Sequence, residues 1–192
     1  MKRRWIPAAM LLLLGAGGVA AAPTREMDVA RSTLSVRVFK AGLFSAFGHN
    51  HLIRAPITRG SFDESADLPS VDLQVDARQL QAVDPDLSAK DRAEVQQTML
   101  GPSVLDSANF PEIRFRSVSI EKAGEGKWRV HGDLTLHGQT RPVLAEVTGG
   151  NGHYRGSAEV RQADFGIKPV TVAGGAIKVK NEVRVEFEIL GR

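Results

Sequence analysis

The sequence predicts an all-β protein: an antiparallel barrel of about eight strands with a short helical insertion. Three observations predict it. Strict apolar/polar alternation recurs through most of the chain after residue 30. Gly-rich turn signals separate the alternating runs at short intervals. One long mid-chain segment lacks both alternation and turn residues, which marks it as a helix.

Taken in order, Leu34, Val36 and Val38 alternate with Thr33, Ser35 and Arg37, as a half-buried strand requires. Val71, Leu73 and Val75 do the same against Asp72, Gln74 and Asp76. Residues 88–100 (SAKDRAEVQQTML) contain no Gly or Pro, and Ser88 with Asp91 forms a helix-capping pair. Gly101-Pro102 ends that helix, and a short second turn is expected over 103–106. Ile113 and Phe115 are followed by Val118 and Ile120, a change of parity that predicts a β-bulge near Arg116-Ser117. Trp128, Val130, Leu134 and Leu136 face away from Arg129, His131, Asp133, Thr135 and His137. Residues 182–189 (EVRVEFEI) give the clearest strand, with Val183, Val185, Phe187 and Ile189 on its apolar side. Turns are expected at 123–126, 137–139, 149–152 and Gly174-Gly175, as in an up-and-down meander.

Each strand has one apolar face, so the sheet must close on itself or pack on a second sheet. The short turns favour the barrel over the sandwich, and burial of the apolar rows is expected. A barrel of this size either fills with side chains or holds one small ligand. Composition leaves both open.

Residues 1–22 carry Lys2, Arg3 and Arg4, then an apolar stretch over 8–14, then the small-x-small run Val19-Ala20-Ala21. That arrangement is expected of a cleaved signal peptide, leaving 23–192 as one domain, with the periplasm as its location. Three of the 25 Lys and Arg lie in this leader and none of the 22 Asp and Glu do, so the remainder carries no net formal charge. Such a balance gives no reason to expect nucleic-acid binding. There is no Cys, which excludes disulfides, a thiol nucleophile and thiolate metal ligands. Neither a Ser-His-Asp arrangement, a paired-carboxylate motif nor a phosphate loop stands out, so catalysis is not expected.

Gly48-His49-Asn50-His51 invites a metal reading. In an extended segment His49 and His51 would point to the same side about 6.6 Å apart, close enough to share a zinc ion. A third protein ligand is not evident from sequence. The alternatives are hydrogen bonds to loop backbone at a barrel rim, or contact with the polar head of a ligand. Leu43, Phe44 and Phe47 flank this loop without strand period, so they either pack beneath it or form an apolar lip.

Three stretches carry a family resemblance. Residues 105–117 (LDSANFPEIRFRS) resemble the "FD…YP.I.F.S" signature of the YceI-like family, and 132–143 (GDLTLHGQTRPV) resemble its "GDLTI.G.T.PV" hairpin. Asp164-Phe165-Gly166 followed by Asn181-Glu182-Val183 is similar to its "DFG…(D/N)EV" ending. Order and spacing agree from about residue 28 onward. The loop over 40–62 is longer than the family's usual one and carries the GHNH run, although Arg59-Gly60-Ser61-Phe62 still fits its "RGxF".

The resemblance implies a secreted, lipocalin-like, extended antiparallel barrel whose apolar tunnel binds a polyisoprenoid chain, such as a polyprenyl phosphate or a quinone tail. It places Val36, Val38, Val71, Leu73, Val75, Phe115, Leu134, Leu136, Val183, Val185 and Phe187 on the tunnel wall; Phe44 and Phe47 join these ligand contacts where their loop forms a lip instead of packing beneath itself. The expected function is therefore a periplasmic carrier that sequesters an isoprenoid lipid. The partners are that lipid or quinone and, transiently, a membrane; a homodimer is allowed. The alternatives are a metal- or haem-handling redox partner using His49 and His51, and a filled barrel that binds other proteins.

Overall fold

The computed structural model describes residues 24–41, 50–64, 69–172 and 177–192. Among the described residues there are twelve β-segments: β1 (Arg25–Glu26), β2 (Thr33–Ala41), β3 (His51–Arg54), β4 (Ile57–Asp63), β5 (Ser70–Asp76), β6 (Gln81–Ala82), β7 (Glu112–Gly124), β8 (Lys127–Leu136), β9 (Gln139–Gly150), β10 (His153–Arg161), β11 (Thr171–Val172) and β12 (Ile177–Leu190). One helix, α1 (Ala89–Leu100), lies between β6 and β7. All pairs are antiparallel, in the order β1-β4-β5-β7-β8-β9-β10-β12-β2-β3-β6, with β11 added beside β12.

That order forces curvature. β3 and β4 are joined by Ala55 and Pro56 alone, yet they stand near opposite ends of the hydrogen-bonded path. The sheet must therefore curl until its ends approach. Backbone bonds join the β1 end to the end of β12: Asp28 N to Leu190 O at 2.7 Å and Arg192 N to Glu26 O at 3.0 Å. The all-β, barrel-like fold matches expectation. The strand number does not, because β1, β6 and β11 are two-residue segments without alternation of their own, β1 and β6 fixed by distant partners (Phe62 and Ile53) and β11 by the start of β12.

The meander β7-β8-β9-β10 is built from tight turns. His137-Gly138 and Asn151-Gly152 each have positive φ at both positions (50° and 69°, 54° and 79°), the type I′ pattern that matches strand twist. The bulge falls between Ser117 and Ser119 in the β7–β8 register, one residue from its expected place. Its extra residue is Val118, which is 72% exposed. Val118 thus belongs to the outer side, and inward parity resumes at Ile120.

Ser88 caps α1 as expected: its Oγ accepts from Asp91 N at 3.1 Å and donates to the Asp91 carboxylate at 2.8 Å. The segment after α1 forms hydrogen-bonded turns, with Val104 N and Asp106 N both bonding Gly101 O. α1 covers the exposed edge of β6 through one side chain. Gln96 accepts from Ala82 N and donates to Leu80 O, both at 2.7 Å, supplying the bonds that another strand would make.

Two apolar clusters occupy the inside. One joins Ile53, Val75, Leu80, Met99, Leu105, Val160, Phe165 and Val183; the other joins Met27, Ile57, Phe62 and Ile189. Leu34 and Leu73 pack against both, so apolar surface is continuous from one to the other. The residues around Phe165 and Asn181 build the first cluster. Phe165 is 1% exposed, Asn181 Oδ1 accepts from Ala163 N at 2.8 Å, and Gln162 donates to Lys180 O at 2.8 Å. These bonds pin the register shift in β12 between Val179 and Val183.

Candidate functional site

Directly opposed residues of an antiparallel pair share a face, so the register traces the inner wall. One row runs Val130, Ala145, Ala158, Val185, Val36, Ile53 and Ala82 across seven strands. A second runs Trp128, Val147, Gly156, Phe187 and Leu34. A third links Leu73, Phe115 and Leu134. These stretches consist of carbon side chains and one tryptophan; the second row continues into Lys122, opposite Trp128, and the third into Arg141, opposite Leu134, both exposed at the margin of the wall.

The eleven strand residues expected on the wall all lie in these inward rows or directly beside them. Their burial differs from expectation. Val75 and Val183 are buried, at 4% and 8% exposure, whereas Val36, Val38, Val71, Leu73, Phe115, Leu134, Leu136, Val185 and Phe187 are half-buried. Residues on the inside of a curled sheet keep access to solvent only where the space in front of them is incompletely filled. Alternation names the face a residue takes and carries no information about what stands opposite it. Leu43, Phe44, Phe47 and His49 lie outside the described residues.

The second cluster closes one end of the wall. Phe62 and Tyr154 meet edge to face at 5.6 Å between ring centroids. Glu64 accepts from the Tyr154 hydroxyl and from Gly152 N, and pairs with Arg25 at 3.3 Å. Burial, then the Glu64 bond, pushes the Tyr154 phenol well above its ordinary range.

The outward rows are charged and paired. Arg114 and Arg116 both bond Asp72, at 2.6 and 3.1 Å, and the Arg114 bond holds that carboxyl below the usual range. Arg155 and His153 do the same for Glu188. A cleft of about 660 Å³ brings Arg129, Glu146, Arg155, Arg184 and Glu186 beside Trp128, Val147, Gly156 and Phe187 of the second inward row, so that stretch of the row has charged neighbours. The charge of the cleft suits an alkyl chain poorly.

His51 is a polar residue among apolar ones on the inner wall. It stands opposite Val38, which stands opposite Val183, and Ile53 on the same face of β3 is 4% exposed. Its Nδ1 lies 3.1 Å from the Asp84 carboxylate, and Asp84 also accepts from Leu52 N at 2.6 Å. The expected bond to loop backbone is thus replaced by one to a buried acid 33 residues away. Sequence reading missed Asp84, whose one signal is an acidic residue two positions past the apolar Ala82. His131 is outward, 3.8 Å from Glu121. His137 is not on an outward strand row: it sits in the turn, bonded through Nδ1 to Phe165 O at 3.0 Å and edge-on to Phe110. Among the described residues no three His, Cys, Asp or Glu side chains converge on a common point.

Comparison with known proteins now bears on this geometry. The family model of the YceI-like domain matches residues 26–190. The chain belongs to the YceI-like family. Among curated YceI-like relatives, a UPF0312 protein of Vibrio cholerae is 30% identical over 127 residues, 61% of each chain. One of Pseudomonas syringae pv. tomato is 34% identical over 86 residues, 40% of this chain and 45% of that one. The chain spans about half the length of the curated relatives it matches. Among solved structures, Burkholderia cenocepacia BcnA superposes with a TM-score of 0.64 at 19% identity, covering 86% of this chain and 99% of that one. A variant of the Campylobacter jejuni YceI protein holding a monobromobimane guest gives 0.51 at 13% identity, covering 73% and 81%. These likenesses concern the fold.

Proposed function

We propose that this YceI-like chain is a binding protein that sequesters one isoprenoid chain, of polyprenyl or quinone type, against the inner wall of its barrel. The observation that carries the reading is the half-burial of Val36, Leu73, Phe115, Leu134, Val185 and Phe187 on a wall whose charged members, Lys122 and Arg141, are exposed at its margins. The mechanism is removal of apolar surface from water, at roughly 0.8 kcal/mol per CH₂ group, so a few isoprene units suffice for tight binding. The leader-like residues 1–22 support a periplasmic setting, in which loading and unloading involve transient contact with a membrane. No catalytic step is part of this reading.

Trp128 offers a direct test, because it lies in the same row as Phe187 and the only other tryptophan is Trp5. A short-tailed prenyl quinone should quench Trp128 fluorescence saturably at one quinone per chain. Val185→Asp, with the fold checked by circular dichroism, should weaken that binding at least tenfold by placing a charge on the wall. Quenching that never saturates, or that is indifferent to Val185→Asp, would count against the lumen as the site.

A further inference from the structure

Away from its margins, where Lys122 and Arg141 stand opposite Trp128 and Leu134, the inner wall is apolar around His51, and His51 is held. Asp84 is 4% exposed and uses one oxygen for Leu52 N and the other for the imidazole Nδ1. A carboxylate oxygen accepts, so the bond assigns a ring proton to Nδ1, and in the Nδ1–H tautomer Nε2 carries the lone pair. Nε2 makes no hydrogen bond among the described residues, and the His51 side chain retains 23% exposure. A backbone amide on one carboxylate oxygen and a ring on the other fix this acceptor beside Val38, on the face of Ile53.

We propose that His51 is the head-group contact of the lumen and that it selects a ligand ending in a hydroxyl, a prenyl alcohol or hydroquinone, by accepting the O–H proton donor at Nε2. Asp84 is a positioning residue that sets the tautomer. The inference rests on the reading of the wall as an isoprenoid site and goes beyond it, because an alkyl-binding wall alone does not distinguish one chain terminus from another. A ligand lacking a donor would leave Nε2 desolvated without a partner.

The test compares geranylgeraniol with its methyl ether, which has the same chain and no O–H, by calorimetric titration into the full chain. The wild type should bind the alcohol about three- to tenfold more tightly. His51→Phe should bring that ratio to one while ether binding persists. Asp84→Asn should do so by a different route. Its carbonyl still accepts from Leu52 N while its amide donates to Nδ1, which moves the ring proton to Nε2. A purely structural role would lower both affinities together and leave the ratio intact. Equal binding of alcohol and ether by the wild type, or a ratio unchanged in His51→Phe, would overturn the inference and leave the lumen standing. Failure of the wild type to bind either compound would remove the lumen reading and the inference with it.

Discussion

The ring of Phe187 lies across Gly156, its register partner in the β10–β12 pair. A Cβ at position 156 would stand 2.5 Å from Phe187 Cζ and 2.4 Å from the carbonyl oxygen of Glu146. Phe115 is arranged likewise, since a Cβ at Gly132 would stand 2.4 Å from its Cζ. Both rings therefore lie along the wall on a strand that offers no side chain, as when an aromatic covers a strand glycine.

Gly156→Ala should consequently destabilise the protein. Glycine in a strand ordinarily costs about 0.5–1 kcal/mol relative to alanine, so the substitution would be expected to help. Here the methyl group meets backbone as well as a ring, and overpacking of this kind costs roughly 1–3 kcal/mol. Urea unfolding of the ligand-free chain decides the sign.

Phe187→Ala should cost less than a fully packed phenylalanine. Replacing such a ring typically costs about 3–5 kcal/mol. Phe187 is half-buried, which brings the expected loss to roughly 2 kcal/mol. A full-sized loss in the same urea experiment would indicate a filled interior.

Much of this was legible in the sequence, and the misses share a cause. Alternation gave the face of each residue from Leu34 to Phe187 because strand geometry imposes it locally. The cap at Ser88 and the bulge near Ser117 were local too. The two-residue strands β1 and β6, the half-burial of the wall and the Asp84–His51 bond depend on partners distant in sequence. Val118 shows the limit well: the parity change was visible, but which residue the bulge ejects depends on the register with β8.

Stability at low pH should follow Asp76. Its carboxyl is lowered from 3.8 to about 2, mainly by its hydrogen bond with the Arg78 guanidinium. A depressed carboxyl contributes stability above its unfolded value and loses it as pH falls through the folded one. Asp76→Asn should therefore be less stable than wild type at pH 7, and the difference should shrink between pH 4 and 2. A difference independent of pH would assign the loss to the missing cap on Ala77–Gln79 instead.

Phe44→Ser addresses the segment after β2. The apolar run of Leu43, Phe44 and Phe47 suits a lip that shields a chain in transit, lowering the barrier set by exposure of the tail to water. Stopped-flow transfer of a prenyl probe from vesicles should slow while final occupancy stays nearly unchanged. Equal transfer rates would return Phe44 to ordinary packing.

Native mass spectrometry of the chain purified from its own cells, without added lipid, tests the central claim most directly. The account predicts a population carrying one additional mass that fragments with isoprene spacing and is depleted in Val185→Asp. A chain that carries no organic ligand, or that carries a metal ion or haem instead, would contradict it.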